Sequence, residues 1–411
     1  MYENLAVLAV FAFLYSTVAG GMERTPINGA LVFLVFGLAF GPVGLGILNM
    51  SIDTQVMRLI ADLTLALVLF IDAANADLRV LKAHSHIPMR MLLIGLPLVI
   101  VLGMLAGALL FDEFGIFQLA VLATILAATD AALGKAVVTN KAVPVRVREG
   151  LNAESGLNDG MCVPILLIFI VLATGAEVEG GGLRLALTLV VSEIGIGLLV
   201  GLGLSALGIQ LVKFCHRQDW ISEIWLQVTA VALAVGCFAI AQSLHGSGYV
   251  AAFVGGLLFG SMAKSKTHKL VMAGEGAAET LALLTWVVFG AAVVGQFYEF
   301  YTWRVFLYAV LSLTVIRMLP MFLVLTGSGE SAPSKLFLGW FGPRGLASIV
   351  FVIIVIDKGV PGSGTMAITV VCTVALSVLL HGVTARPFSA WFSAATNGNG
   401  GARETAGSDE H

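Results

Sequence analysis

The residues with chemistry to offer lie where the chain can least easily hold them. Glu154, Ser155, Asn158 and Asp159 head a stretch that then runs apolar to Ala173, and Thr129 and Asp130 close an apolar run that begins near Phe117. An ionised carboxylate inside a membrane span costs several kcal/mol, so such residues mark ion or proton pathways. A dehydrated monovalent cation takes several oxygen ligands: a carboxylate supplies charge, while hydroxyls and free backbone carbonyls complete the shell. Ser155 and Asp159 are four residues apart and share a helical face, so oxygens from the two runs can meet at one point. Asp62, Asp72, Glu193, Arg317 and Arg344 are the other charged groups inside apolar runs.

The elements that must position these groups are membrane spans. Of 411 residues, 58% are apolar and 11% charged, a composition that excludes a soluble domain of this size. Runs long enough to cross about 30 Å of hydrocarbon recur along the chain. Thirteen are predicted, over 4–19, 27–44, 55–73, 88–110, 116–133, 149–174, 183–212, 222–243, 247–262, 277–296, 303–326, 335–356 and 364–392. The fold class is therefore all-α and polytopic. The first run follows Glu3 without a basic segment and reads as a retained helix, not a cleaved leader. Residues 394–411, rich in Gly and Asn, are expected to form a short disordered cytoplasmic tail.

Basic residues orient the spans, because Lys and Arg accumulate in short cytoplasmic loops. All of them except Arg58, Arg184, Arg304, Lys358, Arg317 and Arg344 fall in alternate loops on one side or in the C-terminal segment. The N-terminus is accordingly expected outside and the C-terminus in the cytoplasm, in a cell inner (plasma) membrane. Cys162, Cys215, Cys237 and Cys372 show no paired spacing, and His84 and His86 read as solvated loop residues. Gly195 to Gly203 and Gly255 to Gly260 suit close helix packing.

Two spans are predicted to break. Span five carries Ala131, Ala132 and Gly134 after its acid, and span twelve contains Gly342 and Pro343, which weaken a helix and remove a backbone donor. Broken helices at equivalent places in two halves point to an inverted-repeat transporter site. With span seven as linker, spans one to six and eight to thirteen form two inverted six-helix repeats. The discontinuous spans five and twelve then cross at the ion site, span five interrupted near Ala128 to Gly134 and span twelve near Gly339 to Gly345.

Three motifs carry a family resemblance. Ala-Ala-Thr-Asp at 127–130, Glu-Ser-Gly-Leu-Asn-Asp-Gly at 154–160 and Gly-Trp-Phe-Gly-Pro-Arg-Gly-Leu-Ala-Ser at 339–348 resemble the signatures of NhaP-type sodium/proton antiporters, within the monovalent cation/proton antiporter (sodium/proton exchanger) family. The resemblance implies that Asp159 alternately holds a proton or the transported cation. Ser155 and the Thr129 carbonyl would be ligands, and Asp130 would act through water or a hydrogen bond to Asn158. Asp72, in Leu-Phe-Ile-Asp at 69–72, would complete a sodium site of Asp159, Ser155, Thr129 and Asp72. Glu154 would pair with Arg317, and Arg344 would compensate charge at the broken helix. Relatives often place Pro after Thr-Asp, whereas this chain has Ala131 and Ala132, so unwinding is expected to rest on crossing geometry and Gly134.

The resemblance further implies electroneutral one-for-one exchange of sodium or lithium for protons, since Asn158-Asp159 offers one titrating carboxylate where electrogenic relatives have two. Potassium/proton exchange is the alternative, differing mainly in cavity size. A homodimer is implied, with an interface part over 1–82 and 177–300 and a core transport part over 83–176 and 301–393. No cofactor, enzyme activity or nucleic-acid partner is called for. An intramembrane aspartyl protease is the rival from another class, but no Gly-x-Gly-Asp signature is present, and a passive channel would want a repeated filter motif.

Overall fold

Peptide groups inside lipid have no water to bond, and a helix satisfies them within one segment. The computed structural model describes residues 2–22, 25, 28–48, 54–76, 86–138, 140, 143–175, 182–263, 267–295 and 298–405, and among these it is helical with no strand. The first repeat comprises α1 (Tyr2–Met22), α2 (Gly29–Phe40), α3 (Thr54–Asn75), α4 (His86–Leu110), the half-helices α5 (Ile116–Ile125) and α6 (Ala131–Val138), and α7 (Val145–Gly175). Next comes α8 (Gly182–Arg217). The second repeat has α9 (Glu223–Ser243), α10 (Gly248–Ala263), α11 (Thr267–Val288, continued by a π-turn at Phe289–Val294), α12 (Trp303–Leu313) with α13 (Val315–Val324), α14 (Ala332–Trp340) with α15 (Leu346–Asp357), and α16 (Ser363–Thr405).

A helix or a pair of half-helices thus falls on each predicted span. Among the described residues, eight helices are long and apolar enough to cross a membrane, and Gly29–Phe40, Ile116–Ile125, Gly248–Ala263 and Leu346–Asp357 are shorter apolar helices. Side-chain caps mark several starts: Asn28 Oδ1 accepts the Leu31 N–H at 2.8 Å, and Ser331 Oγ accepts that of Ser334 at 3.3 Å.

Helices α2, α3, α8, α9, α10 and α11 pack on one another, while α4, α5, α6, α7 and α12 to α16 form a second set. Helix α7 touches both, against α5 and α6 on one side and α3, α8 and α10 on the other. Gly256 and Gly260 lie one turn apart on α10, where a Cβ would strike the backbone of Phe70 and Ala74. Their lack of side chains lets α10 press α3 close and fixes the turn that carries Asp72.

One boundary differs from expectation. Helix α16 continues to Thr405, past residue 394, where a disordered tail was expected. Extending a nucleated helix closes one more hydrogen bond per residue, which carries it across Gly and Asn positions that would not start one.

Candidate functional site

The two breaks meet, and each supplies the charge that steadies the other. Span five stops being helical after Ile125 and resumes at Ala131, while span twelve stops after Trp340 and resumes at Leu346. The Asp130 N–H donates to the Pro343 carbonyl at 2.8 Å. Asp130 Oδ2 accepts the Leu346 N–H at the start of α15 at 2.9 Å, and Oδ1 accepts the Leu133 N–H in the first turn of α6 at 3.3 Å. A carboxylate between two helix N-termini satisfies orphan donors and faces their partial positive charge. At Gly345 a Cβ would collide with the Asp130 carboxylate, so this position tolerates no side chain.

Arg344 does the converse for the carbonyl ends. It is fully buried, and its Nη1 donates to the carbonyls of Gly342 at 3.2 Å and of Ala127 and Ala128 at 3.4 Å each. Ser348 Oγ donates to the Ile125 carbonyl at 2.9 Å. The span-five break therefore runs over 126–130, somewhat earlier than predicted, and Gly134 sits inside α6. Capping by Asp130 and the bonds across the crossing do the work expected of Gly134.

Asp159 projects from α7 toward this crossing. It is buried, and its Oδ1 accepts the Thr129 N–H at 3.1 Å. Ser155 Oγ stands 3.5 Å from Thr129 Oγ1. The Asp159 carboxylate and the Ser155 hydroxyl of α7 thus both meet Thr129 in the unwound segment. Glu154 and Arg317 form a bidentate pair, with Nη1 to Oε1 at 2.8 Å and Nη2 to Oε2 at 3.0 Å, and both side chains are 1% exposed.

Asn158 departs from the expected contact. Its amide donates to Glu154 Oε1 at 2.9 Å and to the Ala127 carbonyl at 3.2 Å, and its Oδ1 faces Cys162 Sγ at 3.1 Å. The expected bond to Asp130 is replaced because Asp130 is drawn to the helix N-termini. Asp72 is half-buried on α3 and lies against α7, where a Cβ on Gly156 would be 3.7 Å from its side chain.

A cleft reaches this cluster, lined by Asn152, Ser155, Leu151, Gly134, Val137 and Phe341 among others. At the other end of the molecule, Arg58 on α3 pairs with Asp357 on α15 and lies 3.6 Å from Asp62, whose Oδ1 accepts the Tyr249 hydroxyl at 2.5 Å. Lys358 lies 4.0 Å from Glu193 on α8. Asp62 and Glu193 therefore stand apart from the cluster: Asp62 joins α3 to α10 through Tyr249, and Glu193 joins α8 to the end of α15 through Lys358. His86 opens α4 and is exposed, while His84 lies outside the described residues. Sequence reasoning gave no role to Ser348, which closes the 339–348 motif, or to Ser377 and His381, whose only signal was polarity within apolar runs.

Crossed half-helices with buried carboxylates at the crossing define a membrane transporter of the broken-helix class. The chain belongs to the sodium/hydrogen exchanger family: the family's transmembrane model matches residues 8–391. It is 23% identical over 393 residues to the K(+)/H(+) antiporter NhaP of Alkalimonas amylolytica, covering 94% of this chain and 67% of that one. It is 31% identical over 271 residues to the Na(+)/H(+) antiporter NhaS2 of Synechocystis, covering 65% of this chain and 46% of the relative. Curated relatives are thus considerably longer than this chain. The fold matches that of the sodium proton antiporter MjNhaP1 from Methanocaldococcus jannaschii at pH 8, with a TM-score of 0.76, 22% identity, and coverage of 93% of this chain and 99% of that one.

Proposed function

We propose that the protein is a secondary active antiporter that exchanges one sodium or lithium ion for one proton, the two competing for Asp159. One observation carries this reading: the other deeply buried acids are already committed. Asp130 is engaged by the N–H groups of two half-helices and Glu154 by both nitrogens of the Arg317 fork. Asp159 accepts one backbone bond among the described residues and faces the hydroxyls of Ser155 and Thr129. It is the carboxylate with coordination to spare.

Deprotonated Asp159 binds the cation with Ser155, Thr129 and Asp72. Neutralising that charge lets the core part, 83–176 and 301–393, move against the interface part, 1–82 and 177–300. The empty, charged carrier is held back by the cost of moving charge through the bilayer. By the positive-inside pattern, the cleft at Asn152 opens to the cytoplasm and the Arg58–Asp357 and Lys358–Glu193 pairs close the outer side. This conformation is the inward-open one, in a homodimer of the plasma membrane with an outside N-terminus.

Potassium is the second reading, favoured by relatives named as K(+)/H(+) antiporters. Proteoliposomes under a proton gradient, given sodium, lithium or potassium in turn, decide between them. Sodium- or lithium-driven flux that an imposed membrane potential does not alter is expected. Flux with potassium alone would make potassium the substrate, and a steady transport current would refute one-for-one exchange.

A further inference from the structure

Beside the span-twelve break, α16 presents Ser377, His381 and Thr384, side chains outside the expected site. Ser377 and His381 are buried. Ser377 Oγ accepts the Arg344 backbone N–H at 2.6 Å and stands 3.2 Å from His381 Nδ1. His381 Nε2 lies 2.9 Å from the Trp340 carbonyl and Nδ1 2.9 Å from the Ser377 carbonyl; the tautomer that carries its proton on Nε2 donates to Trp340 and leaves Nδ1 to accept from the Ser377 hydroxyl. Thr384 Oγ1 accepts the Trp340 indole N–H at 3.0 Å.

The backbone groups so held bracket the unwound segment. Trp340 ends α14, and Arg344 lies two residues before α15 begins. Between them is Pro343, whose carbonyl anchors the Asp130 N–H. Thr129, the residue before Asp130, gives its N–H to Asp159. Unwound backbone inside a membrane must find partners outside its own helix, and partners on one rigid helix select one geometry.

We infer that Ser377 and His381 are positioning residues for cation binding: a hydrogen-bonded brace from α16 that sets the span-twelve break and, through Pro343 and Asp130, the Thr129 donor on Asp159. The inference rests on the antiport reading. Its test uses the full chain in proteoliposomes, with the half-saturating sodium concentration and maximal rate of sodium-driven proton flux measured for His381→Leu, Ser377→Ala and His381→Gln. Reconstituted protein amount and melting temperature are followed alongside.

Leu at 381 and Ala at 377 should each raise half-saturation about two- to tenfold, the worth of one hydrogen bond, with a smaller change in maximal rate. Gln at 381 should restore affinity, because its amide N–H can take the place of Nε2. Unchanged half-saturation in His381→Leu or Ser377→Ala overturns the inference, as does a Gln variant as impaired as the Leu variant. Should His381→Leu not assemble, Ser377→Ala, which removes a single hydroxyl, decides. An unsubstituted chain without cation-driven flux would instead sink the antiport reading itself.

Discussion

Glu154→Ala strips the partner from Arg317 where water does not reach. Both side chains are 1% exposed, and Arg317 Nε has no hydrogen-bond partner among the described residues. The carboxylate is thus the chief counter-charge bonded to the guanidinium, and truncating one side of such a buried pair costs about 3–5 kcal/mol. Asn158 loses its 2.9 Å bond to Glu154 but keeps the Ala127 carbonyl, which adds about 0.5–1.5 kcal/mol. The double replacement Glu154→Leu with Arg317→Met removes both charges and should recover most of the loss, since apolar substitutes for a buried pair are often neutral or stabilising. Thermal unfolding in detergent, followed by tryptophan fluorescence, reads the difference. A Glu154→Ala protein that melts with the unsubstituted chain, or a double variant no better than the single one, would refute the reasoning.

Two further outcomes follow from the geometry. Asp130→Asn removes the charge facing two half-helix N-termini, each such interaction worth about 0.3–2 kcal/mol, and should lower the melting temperature and depress cation-driven flux together. Arg58→Ala should barely change melting, because partly exposed ion pairs contribute about 0.2–1 kcal/mol. It should nevertheless raise labelling of a single cysteine placed at the Asp357 end of α15 by a membrane-impermeant thiol reagent, and unchanged labelling would show that the Arg58–Asp357 pair does not hold that end closed.

Much of the site could be read from local spacing. Ser155 and Asp159 share a helical face by their separation, and Gly342-Pro343 announces a broken span, whereas the Glu154–Arg317 pair was implied only by the family resemblance. What the sequence hid is long-range. The role of Asp130 as a double cap depends on a backbone N–H at Leu346, 216 residues away, and no side-chain pattern records a backbone donor. The same blindness put the first break too close to Gly134: a helix that ends because its peptide groups are taken by a crossing partner needs neither Pro nor Gly. Ser377 and His381 passed as isolated polar residues in an apolar run, since their partners, Trp340 O and Arg344 N–H, are again backbone.

The central claim is that Asp159 is where proton and cation compete. Proteoliposomes containing Asp159→Asn, preloaded with sodium and challenged with a proton gradient, test it most directly when sodium-driven proton flux is compared with that of the unsubstituted chain. The amide has nearly the shape of the carboxylate but neither its charge nor its titration, so flux should be abolished while the protein folds and reconstitutes. Sodium-dependent proton flux surviving in Asp159→Asn would contradict the claim.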